Sequence, residues 1–201
     1  MNRTLVPFAL VPLLALAACG TTTQTTTPSS GAPAATAPAD GATGTTATPS
    51  VAAPAGLRPP TSTKEIEVDR TTGTTPIVTG ARFAEHPGFD RVVIDLKGDL
   101  PGYTARWVAE LVQDGSGDPI DVKGGAYLQL TMTPAAAHTE AGTPTWTGGP
   151  IFQAGLGNVR NVVRTGDFEA VVGVGVVLKR KAAFRVLEQK SPNRLVVDIA
   201  H

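Results

Sequence analysis

The feature that most restricts the fold is a series of short alternating runs between residues 64 and 201. In "DRVVIDL" (90–96) and "AYLQLTM" (126–132), apolar and polar residues alternate with the period of two that is typical of a half-buried β-strand. Further runs are "TPIVTGARF", "YTARWVAEL", "AAFRVLEQ" and "NRLVVDIA", separated by segments rich in Gly, Pro and Asp. No window predicts a long helix. The pattern predicts an all-β fold, a β-sandwich of short, mostly antiparallel strands.

Two segments of this region predict connections between strands, one a turn and the other a long loop. "NVVRTGDFEAVVGVGVVL" (161–178) contains two β-branched runs, and we expect a turn between them at the sequence Thr165-Gly166-Asp167. Residues 133–150 are rich in Pro, Gly and Thr and predict a long surface loop, which in other proteins is either functional or merely mobile.

One strand pattern occurs twice, as "DRVVIDL" (90–96) and "NRLVVDI" (193–199). In each, three aliphatic residues fall on one face of the strand and predict a core face, so one such strand in each sheet of the sandwich is expected. The opposite faces carry Arg91 with Asp95, and Arg194 with Asp198. These charges are interpreted either as cross-strand ion pairs or as a polar, ligand-binding face.

The N-terminus has the pattern of an export signal. "MNRTLVPFALVPLLALAACG" begins with Arg3, continues with a short apolar stretch and ends in Leu-Ala-Ala-Cys. This stretch is too short for a permanent membrane span and predicts a signal peptide at residues 1–18. The tetrad resembles the bacterial lipobox, which implies lipidation of Cys19 and attachment to the membrane. Cys19 is the sole cysteine, so it has no internal disulfide partner. The alternative is an ordinary signal peptide with an incidental cysteine.

Residues 19–63 consist almost entirely of Thr, Ala, Pro, Gly and Ser. Such a composition has too few bulky apolar groups to form a core, and it predicts a disordered linker. The organisation expected is therefore a signal peptide (1–18), a lipid-anchored linker (19–63) and a β-sandwich domain (64–201). An anchored domain of this kind would lie on the cell-wall side of the cell membrane.

Composition and motifs argue against several classes of function. The formal net charge of zero is unlike that of a nucleic-acid-binding protein. His86, His138 and His201 have no metal-binding spacing, and no serine lies in a nucleophile elbow. We therefore expect neither a metal nor another cofactor, and a protein that is not an enzyme.

Two short motifs partly resemble a calcium loop and a dinucleotide site, but each has a simpler structural explanation. "DGSGDPID" spaces Asp114, Ser116, Asp118 and Asp121 like the start of a calcium loop, but it lacks the glycine and the final glutamate of that loop. A polar hairpin turn is the preferred interpretation. "VVGVGVVL" has only two of the three glycines of a dinucleotide site and predicts a strand in which another segment approaches closely.

Four blocks in sequence order carry a family resemblance: "FAEHPGFDRVVIDLKGDLPGY", "GSGDPIDVKGGAYLQLTM", "VVRTGDFEAVVGVGV" and "FRVLEQKSPNRLVVDIAH". They resemble the AMIN-like domain of bacterial lipoproteins, and the resemblance covers about residues 77–201. The strands with Arg, three aliphatics and Asp are similar to those of AMIN domains of cell-wall amidases and secretins. The resemblance implies a β-sandwich that is not catalytic and that binds peptidoglycan or another cell-wall polymer.

The ligand contacts expected for such a module combine a polar sheet face with aromatic side chains. The candidate residues are Arg91, Asp95, Tyr103, Trp107, Arg194 and Asp198, with Trp146 as a further aromatic. The alternative function is an adaptor that binds another envelope protein, or an accessory subunit of a cell-wall enzyme, through a sheet edge or an apolar patch.

Overall fold

The structure is a computed structural model that describes residues 58–201. Within this range the chain forms ten β-strands, and no helix is present. The strands are β1 (Ile66–Val68), β2 (Ile77–His86), β3 (Phe89–Lys97), β4 (Gly102–Val108), β5 (Ala126–Thr133), β6 (Ile151–Gln153), β7 (Val159–Phe168), β8 (Val171–Leu178), β9 (Phe184–Gln189) and β10 (Arg194–Ala200).

The strands form two sheets whose neighbouring strands are all antiparallel. One sheet has six strands in the order β1-β4-β5-β8-β7-β6, and the other has four in the order β2-β3-β10-β9. The prediction of an all-β sandwich is confirmed. Among residues 58–201 there is no helix long and apolar enough to cross a membrane. The predicted signal peptide, Cys19 and most of the predicted linker lie outside the described residues.

The main core lies between the inner faces of the two sheets. Val92, Ile94 and Leu96 of β3 are buried, as the alternation of "DRVVIDL" predicts. The corresponding residues of β10 and alternate residues of β4, β5 and β8 belong to the same cluster. The alternating runs therefore become strands because each can bury one apolar face while its polar face stays towards solvent.

The two similar strands do not lie in different sheets. β3 and β10 are adjacent and antiparallel in the four-stranded sheet, so the expectation of one such strand per sheet was wrong. Alternation fixes which face of a strand is buried, but it does not select the neighbouring strand.

β8 is buried on both of its faces. A small second cluster of Leu111, Val163 and Val177 lies on the outer side of the six-stranded sheet, where the segment between β4 and β5 folds over it. Leu111 occupies the space that a side chain at Gly175 would need. The "VVGVGVVL" strand is therefore almost continuously apolar, and its glycines allow the close approach of another segment.

The turn between β7 and β8 lies later than predicted. β7 runs through Thr165 and Gly166 with a register irregularity, and the chain reverses at Glu169 and Ala170, whose φ angles are 49° and 59°. A Cβ at Gly166 would lie 2.5 Å from the Cβ of Asp114, so this glycine makes room for a packed neighbour. The glycine in 165–167 therefore allows close packing within an irregular part of the strand, and it does not mark the turn.

Thr133 ends β5, and residues 134–150 contain no strand, but they are more than a surface loop. Ala135, Ala137 and Trp146 are almost completely buried and belong to the main core. The N–H of Val78 donates to the carbonyl of Ala136 at 2.7 Å, which ties this segment to the first residues of β2. The segment covers part of the core because its alanines and Trp146 supply apolar surface between polar residues.

Residues 58–63, assigned to the linker by composition, contact the domain in the structure. The carbonyl of Ser62 accepts a hydrogen bond from the N–H of Phe184 at 2.7 Å, and Pro60 is buried. The carbonyl of Thr63 accepts another from the indole of Trp107 at 3.0 Å. Composition did not predict these hydrogen bonds, because residues 58–63 contribute backbone carbonyls to them.

Candidate functional site

The outer face of the four-stranded sheet brings the two arginine-containing motifs together. In the antiparallel register of β3 and β10, Arg91 lies opposite Asp198, and Asp95 lies opposite Arg194. Each motif places its aspartate four positions after its arginine, so reversing one strand against the other puts unlike charges side by side. The repeated motif is thus complementary to itself.

Asp198 is the centre of a buried charge cluster. Its side chain is 0% exposed, and both oxygens accept hydrogen bonds from Arg91, from Nε at 2.7 Å and from Nη2 at 2.9 Å. Arg185 of β9 approaches the same carboxylate from the other side, with Nε at 2.9 Å and Nη2 at 2.7 Å from Oδ2. The hydrogen bonds to Asp198 raise the pKa of Arg91 above its ordinary value, despite the opposing effect of burial.

Phe89 lies beside the two arginines of this cluster. The central guanidinium carbons of Arg91 and Arg185 are 5.4 Å and 5.6 Å from the centroid of its ring. His86 stacks on the same ring at 4.9 Å, and Phe89 itself is fully buried. These cation–π contacts and the shared carboxylate hold both guanidinium groups in fixed positions.

The second aspartate is paired differently. Asp95 accepts hydrogen bonds from Arg82 of β2, from Nε at 2.7 Å and from Nη2 at 2.8 Å. The side chain of Arg194, which lies opposite Asp95 in register, makes one hydrogen bond among the described residues, a long contact of 3.4 Å from Nε to the carbonyl of Pro192. Arg194 therefore has no carboxylate partner within residues 58–201.

We name this region the arginine surface. It consists of Arg82, Arg91, Arg185 and Arg194 with Asp95 and Asp198. Four positive and two negative side chains leave it with a formal charge of +2. A shallow depression of about 520 Å³ crosses it, lined by Arg82, Arg91 and Arg194, by Gln189, and by the apolar side chains of Val93 and Val196 among others. Guanidinium groups held beside an open depression can bind carboxylate or phosphate oxygens in pairs.

Four of the six predicted site residues lie on this surface, and the two aromatics do not. Tyr103 and Trp107 belong to β4 of the other sheet. Tyr103 is 6% exposed, and burial, followed by the nearby charge of Glu188, raises its pKa to about 12. Trp107 is half-buried and packs edge-on against Phe184 at 5.5 Å, whereas Trp146 is buried. All three aromatics serve the core in this structure.

Arg82 and Arg185 were missed in the sequence because neither belongs to a repeated motif. Both occupy outward-facing positions of alternating runs, Arg82 in "TPIVTGARF" and Arg185 in "AAFRVLEQ". This alternation is the signal that would have placed them on the same face as Arg91.

The "DGSGDPID" segment forms a turn in which Val112 and Pro119 make an isolated antiparallel bridge. Asp114 points towards Thr165, whose hydroxyl lies 3.3 Å from Oδ2, and burial raises the pKa of Asp114 above its ordinary value. Among residues 58–201, no three His, Cys, Asp or Glu side chains are grouped so as to hold a metal ion.

The three histidines lie in three different environments. His86 stacks on Phe89, His138 Nδ1 lies 2.6 Å from Asp167 Oδ2, and His201 Nε2 lies 2.8 Å from Asp90 Oδ1. The structure does not bring them together.

The fold and this surface define a class of protein, an all-β sandwich module with a charged outer sheet face. Residues 76–201 match the model of the AMIN-like domain, and the chain belongs to this family, as its sequence blocks predicted. Neither the curated proteins nor the solved structures contain a significant match to the chain. AMIN-like domains are generally non-catalytic binding domains, and membership suggests a cell-wall-associated module in the envelope or periplasm.

Proposed function

We propose that the arginine surface binds the acidic groups of peptidoglycan, and that the protein is held at the membrane by a lipid on Cys19. The observation that supports this function best is Arg194, a guanidinium at the edge of the depression without a carboxylate partner in the described chain. Carboxylates of wall peptides would complete its hydrogen bonding in the same way that Asp198 completes that of Arg91.

The charges of the surface favour a ligand over a purely structural role. Asp198 serves two arginines and Asp95 serves one, which leaves one positive charge more than the ion pairs use. Arg91 and Arg185 are fixed by the buried carboxylate, so the surface is already ordered before a ligand arrives. An ordered surface loses less conformational entropy when it binds.

The anchor and the domain have complementary roles in this proposal. A lipid on Cys19 would retain the protein at the membrane, and the part of the linker before residue 58 would supply the reach between the membrane and the wall. The Cys19→Ala variant tests the anchor, because it should move the protein from the membrane fraction to the soluble fraction. Continued membrane association of this variant would contradict the lipid anchor.

An adaptor that binds an envelope protein is the second candidate function. It is favoured by Phe168, which is 58% exposed beside the turn between β7 and β8. Large exposed aromatic side chains are common anchors of protein interfaces. Chemical cross-linking in cells distinguishes this function, because a Phe168→Ser variant should lose a defined partner while its retention on purified peptidoglycan stays unchanged.

Co-sedimentation with purified peptidoglycan sacculi tests the main proposal. The full-length protein in a non-ionic detergent should sediment with sacculi at physiological ionic strength, and Arg194→Gln should weaken its affinity about tenfold, the loss expected for a charge-assisted hydrogen bond. Arg106→Gln is the matched control, because Arg106 lies on the other sheet in an exposed pair with Glu67. Equal affinities of the two variants would contradict the proposal.

A further inference from the structure

A groove of about 1000 Å³ lies where residues 135–139 run beside the beginning of β2. Ile77 and Ala136 form a parallel bridge, and the N–H of Ala136 donates to the carbonyl of Pro76 at 2.9 Å. The segment therefore adds one isolated bridge to the edge of the four-stranded sheet. The volume of the groove is at the upper end of the range typical of small-molecule sites, about 300–1000 Å³.

The lining of this groove is rich in hydroxyl groups. Five threonines contribute to it, and we name it the threonine groove: Thr74, Thr75, Thr79, Thr139 and Thr145. The hydroxyls of Thr79 and Thr145 already donate to the carbonyls of Asp95 and Val78. Thr74 and Thr75 are exposed, and their hydroxyls have no partner among residues 58–201. Each of these two hydroxyls can donate one hydrogen bond and accept two.

The charged groups of the threonine groove balance each other. Lys97 and Glu140 both line it and carry opposite charges. The carboxylate of Asp167 holds Nδ1 of His138 at 2.6 Å and also accepts the N–H of Ala137 at 3.0 Å. This arrangement fixes the orientation of the imidazole ring and leaves Nε2 available for a further hydrogen bond. The groove thus offers many hydrogen-bonding groups without favouring an ion of either sign.

The threonine groove lies next to the arginine surface along β2 and β3. The hydroxyl of Thr79 donates to the backbone carbonyl of Asp95 at 3.2 Å, and the carboxylate of the same aspartate binds Arg82. Ile77 and Lys97 are paired on neighbouring strands, as are Gly80 and Asp95 further along the sheet. One extended ligand can therefore contact both regions on the same side of the molecule.

We propose that the threonine groove binds uncharged saccharide units, and that the neighbouring arginine surface binds the acidic groups of the same polymer. The inference rests on the proposed function, which it deepens by assigning the glycan to a site of its own. Threonine side chains present a methyl group beside a hydroxyl, which suits the C–H face and hydroxyl rim of a sugar ring. Ile77, Ala136 and Ala170 add further apolar surface.

Saturation-transfer NMR with the neutral tetramer of N-acetylglucosamine tests this assignment. The probe is added to the full-length protein in a detergent whose head group contains no sugar. We expect saturation transfer to the tetramer, and an affinity about tenfold weaker in the double variant Thr74→Val, Thr75→Val, which loses two hydrogen-bonding groups at nearly constant volume. Thr61→Val is the matched control, an exposed threonine that does not line the groove.

The outcomes separate this inference from the proposed function. The Arg194→Gln variant should bind the N-acetylglucosamine tetramer with the affinity of the wild type, while its affinity for sacculi decreases. Absence of saturation transfer from a wild-type protein that still sediments with sacculi would overturn the saccharide site and leave the proposed function standing. An unchanged affinity in the double valine variant would overturn it as well. Failure of the wild-type protein in both assays would refute both proposals.

Discussion

Arg91 and Asp198 face each other across β3 and β10 in a bidentate ion pair, although they are far apart in sequence. The pair exists because both strands carry the same motif and run in opposite directions. The reciprocal position places Arg194 opposite Asp95, but Arg82 from β2 takes that carboxylate. The two motifs alone would balance their charges in two ion pairs. Because Arg82 binds Asp95 instead, Arg194 is left as the candidate ligand contact.

The Asp198 cluster should be a large contributor to stability. Asp198→Asn leaves two largely buried guanidinium groups without their carboxylate, and we expect it to lower the free energy of unfolding by about 3 kcal/mol. Asp95→Asn is the comparison, because the Arg82–Asp95 pair is more exposed and should contribute less than about 1 kcal/mol. Urea unfolding of the full-length variants measures both values. Similar losses in the two variants would contradict this difference.

A second buried carboxylate joins the two sheets. Asp90 of β3 is fully buried and accepts hydrogen bonds from the N–H groups of Gly157, Asn158 and Val159 and contacts His201 at 2.8 Å. Asp90→Asn should destabilise the fold by about 3 kcal/mol, because buried N–H donors lose a charged acceptor.

Hydrogen exchange identifies the cause of that loss. The amides of Asn158 and Val159 should exchange faster in the Asp90→Asn variant, whereas strands far from this junction should keep their relative protection. His201→Gln is a milder control, because His201 is partly exposed and only one of the contacts to Asp90 is lost. Unchanged exchange at Asn158 and Val159 would contradict the role of Asp90.

Asp114 should make stability depend on pH. Burial raises its pKa in the folded state above the unfolded value, so folding favours the protonated form. The stability that this preference contributes is complete below the unfolded pKa of about 3.9 and is lost as the pH rises through the folded pKa. Asp114→Asn should therefore be more stable than the wild type at pH 7, and the difference should disappear near pH 3. A less stable Asn variant at pH 7 would contradict this sign.

The approach of Asp114 to β8 should make Gly173 sensitive to substitution. A Cβ at Gly173 would overlap the hydroxyl of Thr165 and the carboxylate of Asp114, and we expect Gly173→Ala to lower the free energy of unfolding by about 2 kcal/mol. Gly80→Ala is the matched control, since nothing lies within 4 Å of a Cβ there. Thermal unfolding compares the two, and a loss at Gly80 as large as that at Gly173 would show that the cause is not this overlap.

Alternation along the strands predicted much of the fold and part of the site. It placed Arg91, Asp95, Arg194 and Asp198 on outward faces, where the structure has them. The same rule puts Tyr103 on the apolar face of its strand with Ala105 and so indicates a core position, which an aromatic ligand contact would not have. Local pattern is informative for these strands because each of them has one apolar, buried face.

The remaining features depend on contacts between distant segments. No local pattern selects β10 as the neighbour of β3 or assigns Arg82 to Asp95, because strand order and ion-pair choice are set by the whole sheet. The burial of Ala135 and Trp146 in a Pro- and Gly-rich segment has the same origin, because packing against the core outweighs the composition of the segment.

The most direct test of the central claim changes the ligand and leaves the protein intact. Purified sacculi free of phosphate-containing polymers are compared before and after their carboxylates are converted to neutral amides, and the affinity of the full-length protein for each is measured at constant salt. For the wild type and for Arg106→Gln, we predict an affinity about tenfold weaker for the neutralised sacculi than for the untreated sacculi. For Arg194→Gln, we predict similar affinities for the two preparations. Equal wild-type affinities for the two preparations would contradict binding of peptidoglycan carboxylates by the arginine surface.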